Sequence, residues 1–360
     1  MVAPDMVTPQ QVLEELKRVK YPGLGRDVVS FGFVRDIEVS SFGVKVVLAP
    51  TTRDAAIVAQ LKEAVSQIVS ALPGVREVEV AITQPAPPPQ RRTMQTTPLP
   101  GVEHVVAVAS GKGGVGKSTV AVHLAFALSA LGRSVGLLDA DIYGPSIPQM
   151  VGTFGSPGVT TSGRILPLEA HGVKTISLGH LIDPGTPVIW RGPMITKVLT
   201  QFFRDVEWGR LDILVLDLPP GTGDAQLTIA QQIAVSGGLI VTTPQEMALE
   251  DVRRGVAMFR ELRAPVLGVI ENMSFHLCRH CGGRSEPFGY GGGERMAEEL
   301  GVPFLGRLPL DAELMEACEV GAPLVLSNPE HAVSRAFQEL AERVWSALAA
   351  RGRVALPQIS

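Results

Sequence analysis

Residues 111–118 read Gly-Lys-Gly-Gly-Val-Gly-Lys-Ser, with the apolar run Val105-Val106-Ala107-Val108-Ala109 before them and an apolar helical stretch, Thr119 to Leu131, after them. A buried strand feeding a glycine-rich turn that opens a helix is the frame of a phosphate-binding loop. The glycines let the backbone curl until successive N–H groups and the helix N-terminus face one anion. Lys117 adds a point charge and Ser118 a hydroxyl for Mg2+. The expected ligand is a nucleoside triphosphate held by Gly111, Lys112, Gly113, Gly114, Val115, Gly116, Lys117, Ser118 and Thr119.

Beyond the loop, apolar strand candidates recur at His104–Ser110, Ser134–Asp139, Val173–Leu178, Leu211–Leu216, Gly238–Thr243, Pro265–Ile270 and Val302–Leu308, with helical patterns between most of them. Near-continuous apolar strands imply a mostly parallel sheet covered on both faces, a doubly wound α/β domain. Ligands of such sheets bind at the carboxyl ends of the strands, where Asp139 and Asp217 fall beside the loop. Upstream, residues 84–100 are rich in proline, carry no apolar period and read as an extended linker. Before the linker, Thr8, Pro9 and Gln11 open a helix, and strands are expected at Val28–Val39, Val44–Leu48 and Val75–Ile82 with a second helix near 53–71. The predicted organisation is a small α+β domain at 1–83, a linker at 84–100 and a P-loop domain at 101–360.

The chain carries 36 acidic and 32 basic residues, and no long Lys/Arg block, which gives no footprint for a nucleic-acid partner. Met1 to Val12 hold neither a charged n-region nor an apolar h-region, and no apolar run reaches the ~20 residues of a membrane span. The expectation is a soluble, cytoplasmic protein without a membrane partner. Three cysteines cannot form a disulfide framework, and two of them make Cys278-Arg279-His280-Cys281, which points to metal or redox work.

Asp217 ends an apolar strand beside the loop and precedes Leu218-Pro219-Pro220-Gly221-Thr222-Gly223-Asp224, which fits a carboxylate on the Mg2+ hydration shell followed by a phosphate-sensing switch. Asp139-Ala140-Asp141 closes the neighbouring strand, from which a carboxylate can reach the attacking water. The chain has two asparagines, neither in an Asn-Lys-x-Asp guanine reader, so ATP is expected over GTP. Tetrahedral Zn2+ and an iron–sulfur cluster both want four protein ligands, and one chain supplies two thiols; the spacing leaves zinc and cluster open.

Lys112, just after the first glycine, makes the loop resemble the deviant Walker A of the MinD/ParA/nitrogenase-iron-protein group. That resemblance implies a homodimer in which Lys112 reaches the partner's phosphates. It also implies that Lys112, Lys117 and Asp141 serve hydrolysis, with Asp141 placing the water, Asp139 near the Mg2+ held by Ser118 and Asp217, and Asn272 touching adenine. With the loop, Trp190-Arg191-Gly192-Pro193-Met194 and the Cys278/Cys281 pair, residues 100–350 resemble the Mrp/ApbC family of iron–sulfur cluster carrier ATPases. The segment before the linker resembles a small iron–sulfur-assembly (PaaD-like) domain, although Tyr21-Pro22-Gly23 stands where Asp-Pro-Glu is usual. The resemblance implies a [4Fe-4S] cluster shared by the thiols of two chains and passed between cluster scaffold proteins and apo iron–sulfur proteins. A positioning ATPase of the MinD/ParA kind and a dimer closed by structural zinc are the rival expectations.

Overall fold

A computed structural model of the chain describes residues 7–22, 27–40, 43–50, 52, 54–83, 99–141, 144–181, 192–221 and 224–351; at 55, 192–197, 224 and 225 it gives the backbone alone. Linker residues 84–98, Ile142, Tyr143, the segment 187–191, Thr222 and Gly223 lie outside the described residues. The chain divides into two compact units, Met1–Thr93 and Met94–Ser360.

In the first unit, helix Pro9–Leu16 starts on a capping box: the Thr8 hydroxyl accepts from the Gln11 N–H while the Gln11 side chain accepts from the Thr8 N–H. Strands Val34–Val39, Val44–Leu48 and Val78–Ile82 form one sheet in that order, the first pair antiparallel and the second parallel. Helix Ala55–Ser70 buries Leu61, Val65 and Val69. The strand expected from Val28 begins only at Val34. Asp27 accepts hydrogen bonds from the Val29 and Ser30 N–H groups, and Gly32 takes a φ of 67°, so the chain turns there. The apolar residues of that stretch instead build an aromatic cluster, Phe31 stacked on Phe33 with Tyr21 edge-on to Phe31. The last strand likewise starts at Val78 rather than Val75.

The second unit is built on an eight-stranded sheet in the order Phe304–Arg307, Val266–Glu271, Gly237–Thr242, Val102–Ala109, Leu211–Asp217, Val135–Asp139, Val173–Ser177, Leu168–Ala170. All pairings are parallel except the last. Side chains of the central strand alternate between two cores. Val106 and Val108 pack with helices Lys117–Ala130 and Ala332–Ala349, whereas Val105, Ala107 and Ala109 pack with Phe202, Val256 and Phe259 on the other face. Burial on both faces explains why these strands read as unbroken apolar runs. Among the described residues no helix is long and apolar enough to cross a membrane. The apolar stripe Val333, Phe337, Leu340, Val344 and Leu348 is buried in the core against helix Lys117–Ala130 and the sheet.

Candidate nucleotide site and cysteine hairpin

The phosphate loop leaves the central strand at Ala109 and turns into helix Lys117–Ala130 with no side chain capping the helix start. Its first N–H groups are therefore directed at whatever anion the loop cradles. Two of its glycines are forced by their surroundings. A Cβ on Gly111 would lie 1.8 Å from the Asp251 Cβ, and one on Gly116, where φ is +79°, would lie 2.2 Å from the Asn272 Nδ2. Lys112 is half-buried and its carbonyl accepts the Ser110 hydroxyl at 2.9 Å.

Lys117, only 5% exposed, donates to Asp217 Oδ1 at 2.6 Å and stands 3.8 Å from Asp141 Oδ2. Ser118 donates to Asp217 Oδ2 at 2.5 Å. Asp139 lies in register beside Asp217 on the neighbouring strand and accepts from the Asp141 N–H at 2.9 Å and the Ser177 hydroxyl at 2.9 Å. Burial first, then the Asp217 charge, pushes the Asp139 carboxyl up to about 7; the Ser177 hydroxyl and Asp141 N–H work against this. Burial also raises Asp217, with Lys117 opposing. Asp141 Oδ1 is buried and unpartnered among the described residues. The Ser118 hydroxyl and the Asp217 carboxylate are hard oxygen donors of the kind that suits Mg2+, with the Asp139 and Asp141 carboxyl groups nearby.

Asn272 follows strand Val266–Glu271 and is 5% exposed; its Nδ2 donates to the Val115 carbonyl at 2.9 Å. The sequence leads one to expect Asn272 at the base; in the structure its Nδ2 is bonded to the phosphate loop. Three further residues went unnoticed. Gln226, 1% exposed, donates through Nε2 to the Ser110 carbonyl at 3.3 Å and to the Pro219 carbonyl, joining the loop to the segment after Asp217. Asp251 packs on Gly111 from the middle of helix Glu246–Glu261, where no sequence signal marks it. Glu271 is a fully buried carboxylate ending a parallel strand, the same signal that singled out Asp139 and Asp217.

Cys278 and Cys281 sit at the tip of a small hairpin whose arms, His276–Leu277 and Arg284–Ser285, pair antiparallel. The Cys278 N–H donates to the Gly283 carbonyl, the Gly282 N–H donates to the Cys278 carbonyl, and the Gly283 N–H points to the Cys281 Sγ at 3.4 Å. Backbone N–H groups of Cys281 and then His280, followed by the Cys281 side chain, hold the Cys278 thiol below its ordinary range. Cys281 is exposed, Cys278 half-buried and Cys318 buried, and all three are unbridged. Burial raises the Cys318 thiol to about 11, as for an inert core cysteine. Among the described residues no three His, Cys, Asp or Glu side chains gather as a metal site within one chain.

A strand, a glycine loop with an uncapped helix, a buried lysine and paired strand-end carboxylates define a P-loop nucleoside triphosphatase. A model of the ParA group described as NUBPL iron-transfer P-loop NTPase matches residues 101–345, and one described as iron-sulfur cluster assembly protein matches residues 9–81. The chain belongs to the iron-transfer P-loop NTPase family. It is 44% identical over 345 residues to an iron-sulfur cluster carrier protein of Synechocystis sp., covering 94% of this chain and 97% of the relative. It is 42% identical over 356 residues to another of Deinococcus radiodurans, with coverages of 96% and 97%. Among solved structures, a nucleotide-binding protein from Archaeoglobus fulgidus in complex with ADP, with Co found, is 37% identical with a TM-score of 0.56, covering 62% of this chain and 88% of that one. The Pyrococcus furiosus cell division ATPase MinD, 22% identical with a TM-score of 0.51 over 68% of this chain and 99% of that one, shares the fold. The expected family, fold and enzyme class are thereby borne out.

Proposed function

We propose that the chain is an ATP-dependent carrier that binds a [4Fe-4S] cluster between two copies and hands it to apo-proteins. The observation that carries the reading is the cysteine hairpin. It offers two thiols, one with a lowered pKa and one exposed at a tip, each chain supplying half of a four-thiolate set. A twofold pair of such tips completes the set, and opening the pair removes half the ligands at once, which suits a cargo meant to leave. The relatives named for cluster carriage, matched over nearly their whole length, support the same cargo.

At the nucleotide site, Lys117 and the N–H groups of the loop would bind the phosphates, as the ADP-bound relative supports. Ser118 and Asp217, with Asp139 behind them, would hold Mg2+, which supplies charge neutralisation to the transferring phosphoryl group. Asp141, with its unpartnered Oδ1, would orient the attacking water. Asn272, its Nδ2 committed to Val115, would offer Oδ1 to the adenine amino group. Lys112, half-buried in the loop, would reach the partner's phosphates. Scaffold proteins would load the cluster in the cytoplasm.

The test is anaerobic reconstitution with iron and sulfide, followed by metal, sulfide and solution-mass measurement. About four irons and four sulfides per dimer, lost in Cys278→Ala or Cys281→Ala but retained in Cys318→Ala, is the expected result. Stoichiometric zinc that resists exchange, or a cluster on a monomer, would overturn it.

A further inference from the structure

Glu271 and Asn272, adjacent at the end of one strand, hold opposite partners. Asn272 Nδ2 donates to the Val115 carbonyl at 2.9 Å. In a trans peptide the carbonyl and the following N–H point opposite ways, so anchoring Val115 C=O also fixes the direction of the Gly116 N–H. Asn272 therefore fixes the orientation of the Gly116 N–H in the phosphate loop.

Glu271, fully buried, holds the cysteine hairpin at both ends. Its Oε1 accepts the Ser274 hydroxyl at 2.5 Å, just before the hairpin, and the Gly291 N–H at 3.0 Å, just after it. Its Oε2 accepts the Gly293 N–H at 2.6 Å, at the start of helix Gly292–Leu300. The stem between these anchors is stiffened in two further ways. The Leu310 N–H donates to the Phe275 carbonyl at 2.7 Å, and the Arg284 guanidinium lies over both Phe275, at 4.4 Å, and Tyr290, at 4.6 Å. Arg307 completes the clasp over Tyr290 while standing 3.7 Å from Glu271.

We infer that Glu271 is a positioning residue that couples the phosphate loop to the cysteine hairpin. Each bond of the path from Val115 through Asn272 and Glu271 to Ser274, Gly291 and Gly293 is short and buried. A shift of the loop on phosphate binding is passed to both ends of the hairpin at once, turning the thiol tips together rather than loosening one arm. Charge matters here: an ionised carboxylate accepts from all three donors, whereas an amide in its place must turn an NH2 toward at least one N–H or hydroxyl. The inference gives the carrier reading its link between nucleotide state and cargo, yet its test needs no cluster.

The full chain, reduced and metal-free, is alkylated with iodoacetamide with and without Mg2+ and a non-hydrolysable ATP analogue, and modification of Cys278 and Cys281 is timed by mass spectrometry. Nucleotide should change the alkylation rate of the pair by about fivefold or more in the parent, within the ordinary range of coupling between sites. In Glu271→Gln the change should fall below about twofold, while nucleotide affinity by calorimetry and solution mass with nucleotide stay at parental values. An unchanged response in Glu271→Gln, or no response in the parent, overturns the coupling. Loss of nucleotide-driven association in Glu271→Gln along with the response also overturns it, by assigning Glu271 to assembly instead. Should Glu271→Gln fail to fold, Ser274→Ala, which removes one of the three bonds, carries the same comparison. Failure of the cluster-loading test leaves these rates readable, so the two ideas fall separately.

Discussion

Asp139 and Asp217 occupy one rung of two adjacent parallel strands, both fully buried, with Lys117 bonded to Asp217 as the cation between them and the loop. Water is excluded from both and Lys117 offsets one charge, so a second negative charge on this rung is tolerated poorly without a further cation.

A pH signature follows from Asp139, whose pKa is raised to about 7. Between about pH 4 and pH 7 the folded chain keeps a proton that the unfolded chain has lost, so this group's contribution to stability falls as pH rises through that window. His123, lowered to about 4 by burial, titrates with the opposite sign, so the useful quantity is a difference between proteins. Asp139→Asn should melt higher than the parent at about pH 7.5, by several degrees without Mg2+, with the gap closing toward pH 4. The Ser177 hydroxyl can rotate to accept from the new amide, and the Asp141 N–H keeps its acceptor. Calorimetric melts across the window decide it; a gap independent of pH would mean that Asp139 is ionised throughout.

Removing Lys117 should do two separable things. Nucleotide binding should vanish, because the point charge in the loop is gone. The chain should also lose about 3–5 kcal/mol of stability, because Asp217 is left buried without its cation. Adding Asp217→Asn to Lys117→Ala should restore much of the melting temperature and none of the binding. Calorimetric affinity for ATP unchanged in Lys117→Ala would remove Lys117 from the site.

Much of this was legible because it is local. The loop, the strand-end aspartates and the Thr8 capping box are fixed by spacing along a few residues, and the buried sheet announces itself in apolar runs such as Ile213-Leu214-Val215-Leu216. What stayed hidden depends on side chains meeting across the fold. Asp251 touches Gly111 from a helix far along the chain, and Asn272 reaches Val115 rather than open space, contacts that no period of 2 or 3.6 encodes. The stretch from Val28 to Phe33 misled in the other direction: its apolar spacing mimics a strand, while the hydrogen bonds of Asp27 and the positive φ of Gly32 bend it into a turn.

Asp141→Asn should keep nucleotide affinity within a few-fold and slow hydrolysis about a hundredfold or more, the usual cost of losing a group that orients or deprotonates the nucleophile. Its carboxylate stands 3.8 Å from Lys117 with Oδ1 unpartnered, so the substitution breaks no short bond at that oxygen. Phosphate release under single-turnover conditions separates the chemical step from product release. Parental turnover would take Asp141 out of the mechanism.

Lys112 offers the sharpest test of a twofold assembly. If it acts across the interface, a Lys112→Ala subunit binds ATP but cannot supply the lysine its partner needs, whereas a Lys117→Ala subunit cannot bind ATP but still supplies Lys112. Each variant alone should be nearly inactive. Mixed in equal amounts and allowed to exchange, half of the dimers are hybrids, and each hybrid holds one complete site, the Lys112→Ala subunit's nucleotide met by the other subunit's Lys112. Turnover should then recover to about a quarter of the parental value per chain, since half of the dimers work at one of two sites. A lysine acting within its own chain gives no recovery at any mixing ratio. Inactivity of the mixture, with hybrid formation verified by native mass spectrometry, would therefore confine Lys112 to its own subunit.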